Sequence, residues 1–142
     1  MKTIFVNEKD AVRNWYVIDA ADKPLGRVAA KAAALLRGKE KATFTPNQEM
    51  GDYVIIINAE KVAVTGNKET DKIYYHHTGF VGGMKKYSFE KKIERHPEEP
   101  LMLAVKGMLP HNRLGRKLLK NVKIYAGAEY PQAAQNPQKI EL

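Results

Sequence analysis

Five consecutive residues, Tyr53-Val54-Ile55-Ile56-Ile57, form an unbroken apolar run directly after Gly51-Asp52. A strand with one wetted face alternates apolar and polar side chains, so this run describes a strand covered on both faces. Such strands belong to parallel sheets, where the crossover helices lie over the faces. The residues upstream supply the other parts of that arrangement. Trp15 to Ile18 is a second apolar run that ends at Asp19, followed by a turn containing Asp22 and Pro24. A helix is then expected over about 25–37, stopped by Gly38. On it Leu25, Val28, Ala29, Ala32 and Leu36 share a face, while Arg27 and Lys31 lie away from it. Strand, helix and buried strand in this order make a βαβ unit with a parallel pair, connected right-handedly.

Residues 72–77 (KIYYHH) and 122–126 (VKIYA) are two further strand candidates, rich in β-branched and aromatic residues. Ser88 is placed to cap a short helix stopping near His96-Pro97, and Glu98-Glu99-Pro100 opens another, with acids at the positive end of its dipole. Pro110 ends that helix and Asn112 caps a third. Gly107 and Gly115 each cost about 1 kcal/mol relative to alanine inside a helix, so they are expected to turn the chain or admit another backbone. Residues 129–142, with two prolines and three glutamines, read as a loosely ordered C-terminal tail, and 1–12 as an N-terminal arm. The expectation is one α/β domain over 1–142, with helices on both faces of a small, mostly parallel sheet of about four strands.

Charge is distributed unevenly over this frame. The chain has a net charge of +8, and between Leu101 and Ala128 it runs 28 residues without Asp or Glu. That stretch holds six fixed cations: Lys106, Arg113, Arg116, Lys117, Lys120 and Lys123. Arg113, Arg116, Lys117 and Lys120 stand at i, i+3, i+4 and i+7, one face of a helix, with Leu114, Leu118 and Leu119 on the other side. An ordinary solvated face interleaves both signs, because like charges at i, i+4 repel. A stretch with one sign alone points instead to a phosphate-binding surface. Residues 23–48 add Lys23, Arg27, Lys31, Arg37, Lys39 and Lys41 against Glu40, for +5. A loop after the strand at 72–77 adds three glycines, Lys85 and Lys86, and is expected to be mobile and able to approach phosphates closely. This charge balance favours an anionic partner, nucleic acid first and acidic membrane second.

Signals for catalysis are thin. Cysteine is absent, which excludes disulfides and thiolate metal sites and suits a reducing cytoplasm. The only serine, Ser88, already reads as a helix cap. Adjacent His76 and His77 on a strand point to opposite faces and do not share a metal, so the outward one is better placed to donate a hydrogen bond to RNA. Neither G-x-G-x-x-G after a strand nor G-x-x-x-x-G-K-[ST] occurs, and Thr65-Gly66-Asn67-Lys68 is too short for a phosphate loop. Asp19, at a strand end, is the best isolated candidate for a base. The alternative reading is therefore a small α/β enzyme acting on a phosphorylated or nucleotide substrate held by the basic residues. No catalytic residue, metal or cofactor is expected. The start of the chain, MKTIFVNEKDAV, has no apolar segment of signal-peptide length, and no run approaches a membrane span, so a cytoplasmic protein without a membrane partner is expected.

Several segments carry a resemblance. VKGMLPHNRLGR (105–116), WYVIDA (15–20), LGR (25–27), GDYVIIINAEKVAVTGNK (51–68) and TDKIYYHHTGFVGG (70–83) resemble, in order and over nearly the whole chain, the bacterial large-subunit ribosomal protein thirteen family. The resemblance implies a three-layer α/β/α domain that binds 23S ribosomal RNA beside neighbouring large-subunit proteins. It further implies a role early in 50S assembly in the cytoplasmic ribosome, structural rather than enzymatic, with no small-molecule substrate. The signature positions here are Lys106, Gly107, Met108, Leu109, Pro110, Leu114, Gly115 and Arg116. Many members carry lysine, a fixed charge, where this chain has His111. The RNA contacts expected are Lys106, Arg113, Arg116, Lys117, Lys120 and Lys123 in the acid-free stretch. Lys68, His76, His77, Lys85 and Lys86 are expected to add contacts, as are Arg27 and Arg37. Binding of messenger RNA outside the ribosome would use the same surface.

Overall fold

The computed structural model describes residues 5–142, so the first four residues of the expected N-terminal arm lie outside it. Its elements are β1 (Trp15–Asp19), α1 (Leu25–Arg37), β2 (Tyr53–Ile57), a single-turn α2 (Lys68–Asp71), β3 (Ile73–His77), β4 (Met84–Ser88), α3 (Phe89–Arg95), α4 (Glu99–Met108), α5 (Arg113–Leu119), β5 (Val122–Ile124) and β6 (Gln138–Ile140). The βαβ expectation holds, with α1 and β2 beginning and ending where the sequence places them. Gly38 ends α1 by taking φ 74°, and its N–H reaches the carbonyls of Ala34 and Leu35.

Four strands form one sheet in the order β5-β2-β1-β6, with every pair parallel. Val54, Ile55 and Ile56 of β2 are fully buried, as an unbroken apolar run requires. Alternation along the strands divides the core. Ile18, Val54, Ile56, Val122 and Ile124 face a layer of helices, where they meet Val28 and Leu36 of α1, Leu101 and Val105 of α4, and Leu118 of α5. Val17, Ile55 and Ile57 face the other way, beneath Trp15, Tyr125 and Tyr130. Trp15 stacks on Tyr53 with ring centroids 4.5 Å apart, and Gln132 in the helical turn Pro131–Gln135 donates to the Tyr125 hydroxyl at 2.6 Å. The result is a three-layer α/β/α sandwich whose third layer is short and largely aromatic.

Two sequence expectations require correction. KIYYHH forms β3, but β3 does not join the main sheet. It pairs antiparallel with β4 in a separate hairpin, registering Tyr74 with Tyr87 and His76 with Lys85. Propensity identifies a strand without naming its partner, and the mostly exposed side chains of β3 could not fill a doubly covered position. The fourth strand of the sheet comes instead from the segment read as a loose tail. There β6 pairs with β1, Tyr16 opposite Gln138 and Ile18 opposite Ile140. Three residues are too few to show a period. The helix starts near Ser88 and Pro100 stand as expected, although the Ser88 side chain makes no capping hydrogen bond.

A polar cluster closes the end of the sheet where its strands begin. Glu49 Oε1 accepts from Arg13 Nη1 at 3.3 Å and Asn121 Nδ2 at 2.6 Å. Asp52 pairs with Lys41 at 2.6 Å and accepts the Asn14 N–H at 2.8 Å. Both carboxylates are buried, and together they fasten the 39–52 loop to the entries of β1, β2 and β5.

Candidate nucleic-acid interface

The basic helix forms where Asn112 and the leucine spacing place it. Asn112 Oδ1 accepts the Gly115 N–H at 2.8 Å, satisfying one of the free donors at the start of α5. Leu118 is fully buried, Leu114 and Leu119 pack against the same core, and Arg113, Arg116, Lys117 and Lys120 are exposed. Gly115 is the hinge of the motif, because a Cβ there would fall 1.7 Å from the Pro110 carbonyl oxygen. Its absence lets the 109–112 turn lie directly on α5. That contact brings Lys106 and His111 to the same 280 Å³ cleft as Arg116, floored by Leu109, Pro110 and Leu119. Gly107 departs from expectation. It lies inside α4, and a Cβ on it would meet nothing within 4 Å.

Ion pairing sorts the cations into two groups. Lys31 pairs with Glu40 at 2.6 Å, Lys92 with Glu99 at 2.7 Å, and Lys41 and Arg13 with the buried carboxylates. Among the described residues, none of the six cations between 101 and 128 forms a salt bridge, although the charge of Lys117 acts on Glu49 from a greater distance. The charge of the other five is left to solvent and to whatever binds.

The expected contacts do not all share one surface. Val122 and Ile124 face the helical layer, so Lys123 between them points to the opposite side of the sheet, in register with Ile55. Arg27 is exposed on α1, and the half-buried Arg37 guanidinium lies 5.7 Å from the Phe44 ring centre. Lys68 reaches Thr65 Oγ1 at 3.2 Å and borders a 440 Å³ cleft with Lys72, Leu103, Gly107 and Met108. His76 and Lys85 are neighbours on one hairpin face, while His77 and Lys86 belong to the other, where Lys86 Nζ stands 5.7 Å from the Tyr75 ring centre. In the sequence Lys72 reads only as the first residue of a strand. Its position beside Lys68 emerges only from packing.

The carboxyl ends of β1 and β6 border a 470 Å³ cleft containing Asp19, Lys23 and Lys139. Asp19 Oδ1 accepts from Asn58 Nδ2 at 2.8 Å and from the Ala21 N–H at 3.0 Å. Those two bonds, reinforced by Lys139 and Lys23, hold the carboxyl below its ordinary range against slight burial. A carboxylate stabilised in this way is a weaker base than a free one. Among the described residues, no group of three or more His, Cys, Asp or Glu side chains could hold a metal ion, and no helix is long and apolar enough to cross a membrane.

The family described as Ribosomal protein L13 matches this sequence over residues 13–131. The chain belongs to the ribosomal protein L13 family. The large ribosomal subunit protein uL13 of Treponema denticola is 66% identical over 142 residues, the whole of both chains. The protein of the same description from Treponema pallidum is 64% identical over 137 residues, 96% of each chain. That of Symbiobacterium thermophilum is 57% identical over 141 residues, 99% of each. The L13 match spans β1 through α5 and β5, taking in the cleft between Lys106 and Arg116, and stops short of β6.

Proposed function

We propose that this protein is a structural component of the large ribosomal subunit in the cytoplasmic ribosome. In this reading it binds 23S ribosomal RNA, mainly through phosphates and RNA shape, beside neighbouring ribosomal proteins and early in subunit assembly. It acts as a single domain and performs no catalysis. The observation that carries the reading is the set of unpaired cations on α5, set against a buried Leu118 in a stretch without acids. Arg113, Arg116, Lys117 and Lys120 run along the RNA backbone, and Lys106 adds a contact from the adjoining cleft. Folded RNA presents little readable base edge in its deep groove, which leaves phosphate and shape as the main determinants. Family membership and the names of the relatives support the same role. The enzyme alternative needs Asp19 as a base, and its hydrogen bonds to Asn58 and Ala21 oppose that use.

Sucrose-gradient fractionation of lysate with the protein tracked by immunoblot tests the assignment. Stoichiometric sedimentation with large subunits and their precursors, surviving moderate salt, is the expected result. Recovery only in the soluble top fractions would overturn it. If about five cations neutralise phosphates, log K falls with log salt at a slope of roughly −3.5 to −4.5, and a slope near zero would remove the electrostatic account. Charge reversal at Arg116 and Lys117 is expected to weaken association while the fold survives.

A further inference from the structure

Of the ten large hydrophobic side chains that the described residues leave exposed, five lie on the β3–β4 hairpin: Ile73, Tyr75, Phe80, Val81 and Met84. The hairpin has two unlike faces. Tyr74 and Tyr87 turn inward and are half-buried, with Tyr87 beside Lys92 and Arg95 of α3. Ile73, Tyr75 and Met84 occupy the outer face in register with Ser88, Lys86 and His77, and have no cover. At the tip Phe80 is 78% exposed and Val81 fully so. An apolar concentration of this kind on a folded protein marks a contact surface.

The tip forms a hydrogen-bonded turn. The Thr78 N–H donates to the Gly83 carbonyl at 3.0 Å, the Gly83 N–H to the Phe80 carbonyl at 3.0 Å, and the Gly79 N–H to His77 Nδ1 at 2.9 Å. Gly79 and Gly82 adopt φ 91° and 70°, which only glycine takes without strain. Phe80 and Val81 are therefore held out at the apex before any partner arrives, which lowers the ordering cost of binding.

Charge decides which partner fits. From Lys72 to Phe89 there is no acidic residue, while Lys72, Lys85 and Lys86 are joined by His76 and His77. A protein partner for an apolar ribbon has no need of a rim of one sign, whereas a polyanion does. Aromatic side chains interleaved with lysines match a nucleotide, whose base stacks while its phosphate is neutralised. Paired RNA offers no such base, so the target is an unpaired one in a loop or bulge. We propose that this hairpin is an RNA-inserting finger: Phe80 stacks on an unpaired base of ribosomal RNA, with Lys85 and Lys86 on the flanking phosphates. The proposal rests on the ribosomal reading above and extends it to a base contact.

The test is filter binding of the full chain to 23S ribosomal RNA over a salt series, with Phe80→Ala, Phe80→Trp and a Lys85→Gln/Lys86→Gln pair. Stacking of one base is worth about 1–3 kcal/mol, so Phe80→Ala is expected to weaken binding roughly 5- to 150-fold with the salt slope unchanged. Phe80→Trp retains affinity. The lysine pair lowers affinity and reduces the slope by about 1.5. Phe80 is exposed, so its variants are expected to keep the wild-type circular dichroism spectrum. Equal affinity of Phe80→Ala and the parent would overturn the finger. So would normal RNA affinity with impaired entry into particles, which would assign the tip to a protein neighbour. A parent protein that neither binds this RNA nor sediments with large subunits would refute the ribosomal reading, and the finger with it.

Discussion

Gly115 lies against Pro110 so closely that a Cβ would stand 1.7 Å from the Pro110 carbonyl oxygen. No side chain fits unless the 109–112 turn lifts off α5. Gly115→Ala is therefore expected to destabilise the fold by about 1–3 kcal/mol, read from the urea midpoint at constant m. A loss below about 1 kcal/mol would show that the turn relaxes freely and that the cleft between Lys106 and Arg116 is not rigid.

Gly107, eight residues earlier in the same motif, has the opposite sign. It is helical, exposed and open on the side a Cβ would take. Gly107→Ala is expected to stabilise the protein by about 0.5–1 kcal/mol, raising the thermal midpoint. A lowered midpoint would contradict the helical geometry at that position.

These two glycines show what a sequence carries and what it withholds. Both were legible as unusual in a helix, because glycine is costly there whatever its surroundings. Which one touches a backbone depends on a turn folded across it, and no local pattern encodes that. The same division runs through the fold. Val54, Ile55 and Ile56 announce a doubly covered strand by composition alone, and Gly38 ends α1 by chemistry that is equally local. Gln138 to Ile140, by contrast, become a strand only because β1 has a free edge to receive them. At the interface, the helical face of Arg113, Arg116 and Lys117 could be read from spacing. The turning of Lys123 to the far side of the sheet, and the placing of Lys72 beside Lys68, follow from packing over long sequence distances.

Glu49 gives the protein an acid-sensitive point. Burial disfavours its charge, but hydrogen bonding with Asn121 and Glu8, together with the charges of Arg13 and Lys117, outweighs burial and holds its carboxyl below the ordinary 4.5. A carboxylate depressed in the folded state contributes stability that is fully present above its unfolded pKa and is lost as pH falls through the folded value. Unfolding free energy is therefore expected to be flat near neutrality and to decline below about pH 4.5. Glu49→Gln is expected to cost about 1–3 kcal/mol at pH 7, with the deficit narrowing as pH is lowered. A deficit independent of pH would remove the ionised carboxylate from the account.

Deleting residues 137–142 is expected to leave β1 unpaired along one side. An open strand edge templates pairing with another chain. The truncated protein is expected to show a lower thermal midpoint and concentration-dependent light scattering at neutral pH. A monodisperse monomer of unchanged midpoint would show that β6 adds nothing to the sheet.

The pairing of Tyr16 with Gln138 also sets a clock. Translation makes β1 and β2 well before β6, so β1 has a partner available for one of its sides long before the other. The other side waits for β6, which begins 81 residues after Ile57, at roughly 5–20 residues per second. For about 4–16 s each newborn molecule thus carries a half-finished sheet, with α5 and its cations already made before the last strand arrives.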